Sequence, residues 1–161
     1  KLDIIVEDLG FLTPSVLQLV ADSGYPGMKV VQFAFDSRDD SDYMPHNYDK
    51  HCVVYTGTHD NDTLCGWYKV LDPEDLKLSQ KYMNNANTPK RQIHWDFIRL
   101  ALASVADLCI IPLQDYLGLG SEARINMPST LGDNWKWRLT DGQLTDALAA
   151  HMKDVTKTYC R

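Results

Sequence analysis

The stretch His51-Cys52-Val53-Val54-Tyr55 is apolar and β-branched, and it runs through Thr56-Gly57-Thr58-His59-Asp60-Asn61-Asp62 into a helix expected from about Thr63. A short apolar run bounded by turn residues predicts a strand, and the helix behind it completes a βα unit. Asp62 is the expected cap of that helix. The same grammar recurs on either side. Residues 2–6 form an apolar run rich in β-branched residues and ended by Glu7-Asp8-Leu9-Gly10, as expected for a strand buried on both faces. A helix follows, with Thr13 as N-cap, Pro14 at the first helical position, Val16, Leu17, Leu19 and Val20 as its buried stripe, and Gly24 at its stop. Residues 28–35 and 108–113 supply two further strand candidates. Pro73 opens a helix reaching about Met83, and Thr88-Pro89 opens a longer one in which Ile93, Phe97, Leu100, Ala101 and Ser104 share a face. Thr140 and Gln143 form a capping box ahead of Leu144, Ala147, Leu148, Met152 and Val155.

Strands alternating with helices predict an α/β fold with parallel strands, about four βα units, the content of half a TIM (β/α)8 barrel. At 161 residues and 44% hydrophobic, the chain can bury one core as a single domain over residues 1–161, but it is shorter than the about 250 residues of a whole barrel. It opens at Lys1 without Met and enters an apolar run at once, which reads as a cut piece. An isolated half barrel leaves two parallel edge strands unpaired. A missing N-terminal part of the barrel, or a second copy, is expected to cover them.

The formal charge of -6, with no local concentration of Lys and Arg, argues against nucleic acid or an anionic membrane as partner and favours a neutral substrate. No apolar run reaches the roughly 18 residues of a membrane span, and the first residues lack a signal-peptide pattern, so a cytoplasmic location is expected. Cys52, Cys65, Cys109 and Cys160 form no C-x-x-C pair and read as reduced packing residues.

In a barrel the C-terminal strand ends share one rim, where active sites are built. The polar residues after the strand candidates are Glu7-Asp8, Asp36, His59-Asp60 and Gln114-Asp115. A carboxyl at the end of a dry strand resists ionisation, which is how a general acid is kept protonated; an exposed or capping glutamate is the plain alternative for Glu7. For His59 the plain alternative is a turn histidine. A His-Asp pair also suits a metal phosphohydrolase, but the further spaced histidines are missing and His46, His51 and His94 fall in unrelated contexts, so no metal is expected. Residues 36–50 form an acidic, aromatic, proline-containing stretch read as a long exposed loop. Tyr43, Tyr48, Tyr116, Trp135 and Trp137 crowd the expected loops, with Trp67 close behind the His-Asp turn. Such rings pack against the apolar faces of sugars, and equally serve as lids over a core.

Several blocks are more specific. Ile4-Ile5-Val6-Glu7-Asp8-Leu9-Gly10, the stretch 27–35, Pro45-His46-Asn47-Tyr48, Tyr55-Thr56-Gly57-Thr58-His59-Asp60-Asn61-Asp62-Thr63 and the tail 111–139 with Gly118-Leu119-Gly120-Ser121-Glu122-Ala123-Arg124 strongly resemble the amylomaltases, the 4-alpha-glucanotransferases of glycoside hydrolase family 77, in family order and over essentially the whole chain. The resemblance implies retaining transfer of α-1,4-linked glucan to the 4-hydroxyl of an acceptor glucose or maltooligosaccharide, on a (β/α)8 barrel, with no cofactor and no metal in the chemistry. It implies that Glu7 is the acid/base and Asp60 the transition-state stabiliser, with His59 on sugar hydroxyls. Asp36, His46, Asn47, Arg124 and Asn126 are further candidate sugar contacts; for each, a loop-fixing hydrogen bond is the alternative. Asp115 reads equally as a helix cap. The family's nucleophilic aspartate belongs to an earlier strand, so the chain is expected to lack it and to be inactive alone, since retaining chemistry needs two carboxylates about 5 to 5.5 Å apart. The alternative is a non-catalytic α-glucan-binding or scaffold module; Glu7, His59 and Asp60 argue for the enzyme, because a binder needs no acid/base.

Overall fold

The computed structural model describes residues 3–10, 12–38 and 40–161. In chain order its elements are α1 Pro14–Ser23, β1 Gly27–Val30, β2 Cys52–Tyr55, α2 Leu64–Val70, α3 Pro73–Met83, α4 Ile93–Ala103, β3 Leu108–Ile110, α5 Leu113–Tyr116 and α6 Asp146–Thr158. The strands form one parallel sheet in the order β1-β2-β3.

Register assigns the two faces of the sheet, because laterally paired residues point the same way. Lys29, Val54 and Cys109 share one face. There Val54 joins a core with Leu64 of α2 and Phe97, Ile98 and Ala101 of α4. Phe97 is its centre, with the rings of Phe35, Trp67 and Tyr68 at 5.8, 5.3 and 5.9 Å, each edge-on, the geometry that aromatic quadrupoles favour. The opposite face carries Met28 and Val30, Val53 and Tyr55, and Leu108 and Ile110, and opens into a cleft. β2, flanked on both sides, is apolar at Val53 and Val54 and dry at both, the burial that a central parallel strand requires. Arg161, just past α6, anchors that helix: its guanidinium donates to the carbonyls of Leu102, Ser104 and Ala106 behind α4.

Several sequence expectations shift. Of the first strand, expected to be buried on both faces, Leu2 lies outside the described residues, residues 3–6 are not in a ladder, and Ile4 and Ile5 are each about two-fifths exposed. Val6 N–H donates to Pro26 O at 2.9 Å, but the next donor of β1, Met28 N–H, is taken at 2.6 Å by the Asp8 carboxylate, so pairing does not propagate. The second strand stops at Val30, where a 3-10 turn, Val31–Phe33, draws the Gln32 amide inward to donate to Asp62 O at 2.7 Å. The fourth candidate ends at Ile110 because Pro112, which has no N–H for a ladder, instead starts α5. Among the described residues, three paired strands therefore stand where four were expected.

α1 forms with the expected start and Gly24 stop, yet none of its residues is buried, and Leu17 and Leu19 are 51% and 68% exposed. Among the described residues its stripe enters no core. Thr63, not Asp62, caps α2 by accepting from Gly66 N–H. Thr88-Pro89 leads into a 3-10 turn, Lys90–Gln92, before α4 begins at Ile93, and Ser104 is already past its end. The Gln143 side chain does accept from Thr140 N–H at 2.9 Å, but the helix starts later, at Asp146 under Thr145, leaving Leu144 exposed.

Candidate active site

The strand ends carry a cleft of about 920 Å³. Ile5, Met28, Tyr55 and Ile110 make its apolar floor; Glu7, His59, Asp60 and Gln114 stand around it. Residues from three separate segments thus converge as a barrel rim predicts. Glu7 and Asp60 are the carboxylates among its described lining residues. Glu7 is exposed at the lip; the dry strand end expected of it is not there, because residues 3–6 lie open rather than between two paired strands.

The His59-Asp60 turn is rigid, and its own motif makes it so. Asn61 Oδ1 accepts from both Thr58 N–H and Thr58 Oγ1, each at 2.8 Å, and Thr58 Oγ1 accepts from Asp60 N–H at 3.2 Å. Asp62 spans to the neighbouring segment, accepting from Ser121 Oγ at 2.6 Å. Gly66 sits beneath that bond: a Cβ there would fall 2.6 Å from the Asp62 carboxylate, so no side chain fits. From the tail, the Asn126 amide donates to Asp60 Oδ1 at 2.6 Å, Asn126 N–H to His59 O at 3.1 Å, and the Arg124 guanidinium to the carbonyls of Asp60 and Asn126. His59 Nε2 lies 3.2 Å from Asp60 Oδ1, and the Trp135 ring lies 5.0 Å from the imidazole.

The candidate sugar contacts divide accordingly. Arg124 and Asn126 meet the turn and orient Asp60. Asp36, His46 and Asn47 do not reach this cleft; they border a different depression on the loop 36–50. There each makes a loop-fixing bond: Asp36 is held in a fork by Arg38, which keeps its carboxyl down at about 2; His46 Nδ1 meets Tyr82 OH at 3.0 Å; and the Asn47 amide donates to Ser41 O at 3.2 Å. The loop is less exposed than its composition suggested, since Pro45 and Tyr48 are buried.

Asp115 caps a helix, but not its own. Buried behind the turn, it accepts from Thr56 Oγ1 at 2.6 Å and from Leu64 N–H, the first amide of α2, at 2.8 Å. Burial pushes its carboxyl up to about 6 against those two hydrogen bonds. A raised folded value means that the folded state holds the proton where the unfolded chain has released it. This contribution to stability is therefore full below about pH 4 and is lost as pH rises through 6, on the order of 3 kcal/mol. Asp115→Asn, which cannot titrate, should gain in denaturation midpoint relative to wild type between pH 4 and pH 7; a difference that is flat with pH would refute the assignment.

From sequence, Trp135 is one loop aromatic among several. Its place beside His59 depends on a left-handed backbone at φ 64°, anchored by Trp135 N–H donating to Ile125 O at 2.7 Å, which no local pattern announces. Asn61 and Asp62 lay inside the quoted motif, and their work on the turn follows from the Asx habit of bonding nearby backbone.

Fold and site together define a segment of a parallel α/β barrel that presents an acid-bearing cleft at its strand ends. Residues 1–145 match the family described as 4-alpha-glucanotransferase, glycoside hydrolase family 77, and the chain belongs to that family. It is 45% identical to the 4-alpha-glucanotransferase of Clostridium butyricum, covering 99% of this chain and 33% of that protein. It is 48% identical to that of Synechocystis sp., over 100% and 32%. Amylomaltase from Streptococcus agalactiae, solved in complex with acarbose, matches with a TM-score of 0.93 at 37% identity, covering 100% of this chain and 32% of that one. The Corynebacterium glutamicum amylomaltase, at TM-score 0.69 and 16% identity, shares the fold. The chain spans about a third of the length of the curated relatives it matches.

Proposed function

We propose that these 161 residues carry the acid/base half of a retaining 4-alpha-glucanotransferase site. Glu7 protonates the departing 4-oxygen of an α-1,4-glucan and later takes the proton from the 4-hydroxyl of the incoming acceptor. Asp60 stabilises the oxocarbenium-like charge that develops between those steps. His59 lines the cleft and offers its imidazole to sugar hydroxyls, and the Trp135 ring beside it, 5.0 Å away, supplies an apolar contact to a sugar that extends past His59. The observation that carries this reading is the convergence of Glu7, His59 and Asp60 on one cleft. The acarbose complex of the Streptococcus agalactiae relative supports a carbohydrate ligand.

Covalent glycosyl transfer needs a second carboxylate close to the acid/base, about 5 to 5.5 Å away. Asp60 is already committed to Asn126 and His59, so the nucleophile is an aspartate from outside these residues. The segment is then inactive alone. Its cover is the rest of the barrel: the uncovered stripe of α1, with Ile4 and Ile5 each about two-fifths exposed, is surface that wants a partner. Maltooligosaccharides derived from starch or glycogen, in the cytoplasm, fit an acidic chain without a basic patch.

Glucose release from maltotriose tests this. The chain alone should give none, and the chain mixed with a polypeptide carrying the remainder of a relative's barrel should give a steady rate. Turnover by the chain alone would mean that both carboxylates of the reaction are already among these residues.

A further inference from the structure

On the outer side of the barrel segment, between the end of α3, the start of α4 and α6, lies a second depression of about 660 Å³ that shares no residue with the strand-end cleft. Its size is within the range of small-ligand sites. Its lining is unlike a solvated helix face. Trp95 is half-buried at its centre, steadied by the Tyr116 ring at 5.7 Å and by His151, which meets it edge-on at 4.1 Å. Around this ring stand planar polar side chains: Asn87, Arg91, Gln92 and Arg99. None of the four heads makes a hydrogen bond or ion pair among the described residues, so the fold does not use them.

The frame that presents them is fixed. Asn84 ends α3 in a left-handed conformation, Asn85 N–H donates back to Gln80 O at 3.1 Å, and Thr88 N–H closes onto Asn85 O at 2.9 Å. The Asn85 side chain is 8% exposed, and its amide donates to Asp96 Oδ2 at 2.9 Å, which fixes its orientation; its Oδ1 is left buried without a partner.

An indole face ringed by amides and guanidinium groups, with one carboxylate among them, offers apolar stacking together with paired donors and acceptors. That combination matches the alternating C–H faces and vicinal hydroxyls of a glucose chain. The Asp96 carboxylate offsets one of the two guanidinium charges in the hollow, which leaves a mixed set of donors and acceptors rather than a purely cationic one. We propose that this depression binds a second segment of α-1,4-linked glucan, holding a polymeric substrate while its end is processed in the cleft; the proposal rests on the glucan reading of the cleft.

The test is a titration of the isotope-labelled chain with maltoheptaose, following the indole N–H signals of its four tryptophans. Trp95 reports the depression and Trp135 the cleft. The Trp95 signal should shift saturably. In the double variant Asn87→Ala/Arg91→Ala, which alters two exposed side chains outside the core, the affinity read at Trp95 should fall about tenfold or more while the Trp135 shift persists. A Trp95 signal that stays still while Trp135 moves overturns the second site and leaves the cleft reading intact. Movement of Trp95 alone keeps the second site and defeats the cleft reading. No movement of either, or a Trp95 shift indifferent to the double substitution, overturns the proposal.

Discussion

Glu7→Gln is expected to lower glucan transfer by ~10²–10⁴-fold, measured as glucose release from maltotriose in the enzyme assembled with the rest of the barrel. Glu7 is exposed at the lip of the cleft and makes no hydrogen bond among the described residues. The isosteric amide therefore removes a proton donor without removing a structural contact, and the thermal midpoint should stay where it is. The two halves of the reaction can be separated by the leaving group. A glucosyl donor whose leaving group needs no proton, such as α-maltosyl fluoride, should still be consumed by the Glu7→Gln variant in the glycosylation step, whereas transfer from maltotriose should not recover. Full activity of the variant on maltotriose would remove Glu7 from the chemistry.

The sequence was most legible where one unit contains its own reasons. The β2-turn-α2 unit was readable because Val53 and Val54 need cover on both sides and the Thr58-His59-Asp60-Asn61 turn closes on itself through Asn61. α3 was equally readable, since Asp72 caps its start by accepting from Glu74 N–H and Asn84 ends it in the left-handed region.

Legibility failed where the decisive partner was distant. The apolar run at residues 3–6 has the composition of a buried strand, but a strand is a relation between two backbones, and here the Asp8 carboxylate occupies the Met28 amide that a ladder would use. The stripe of α1 likewise reports what the helix is made to cover, not whether the cover is within these residues. Asp115 is the sharpest case: a polar residue after a strand reads as a rim acid or a local cap, whereas its two donors are 59 and 51 residues away in sequence. Asp36 made the converse error possible. It follows a strand candidate as a rim acid should, but Arg38, two residues on, captures it in the loop.

Asp60→Asn should lower kcat/KM for maltotriose by ~10²–10³-fold and leave the fold unchanged. Most of what positions this residue is independent of its charge. Asp60 N–H is held by Thr58 Oγ1, Asp60 O is held by Arg124, and Asn126 anchors the adjacent His59 carbonyl. An asparagine keeps these bonds and can still accept from the Asn126 amide through its own Oδ1. What it loses is the negative charge facing the cleft, and a charge held in place by preorganised donors is worth most where positive charge develops in the transition state. Asn126→Ala provides the contrast. It keeps the charge but removes the 2.6 Å bond that aims it, so the expected loss is smaller, about tenfold, and is accompanied by a fall in thermal midpoint as the turn loosens. If Asn126→Ala proves as damaging to kcat/KM as Asp60→Asn, the turn acts through its shape rather than its charge, and stabilisation of an oxocarbenium-like state by Asp60 would have to be abandoned.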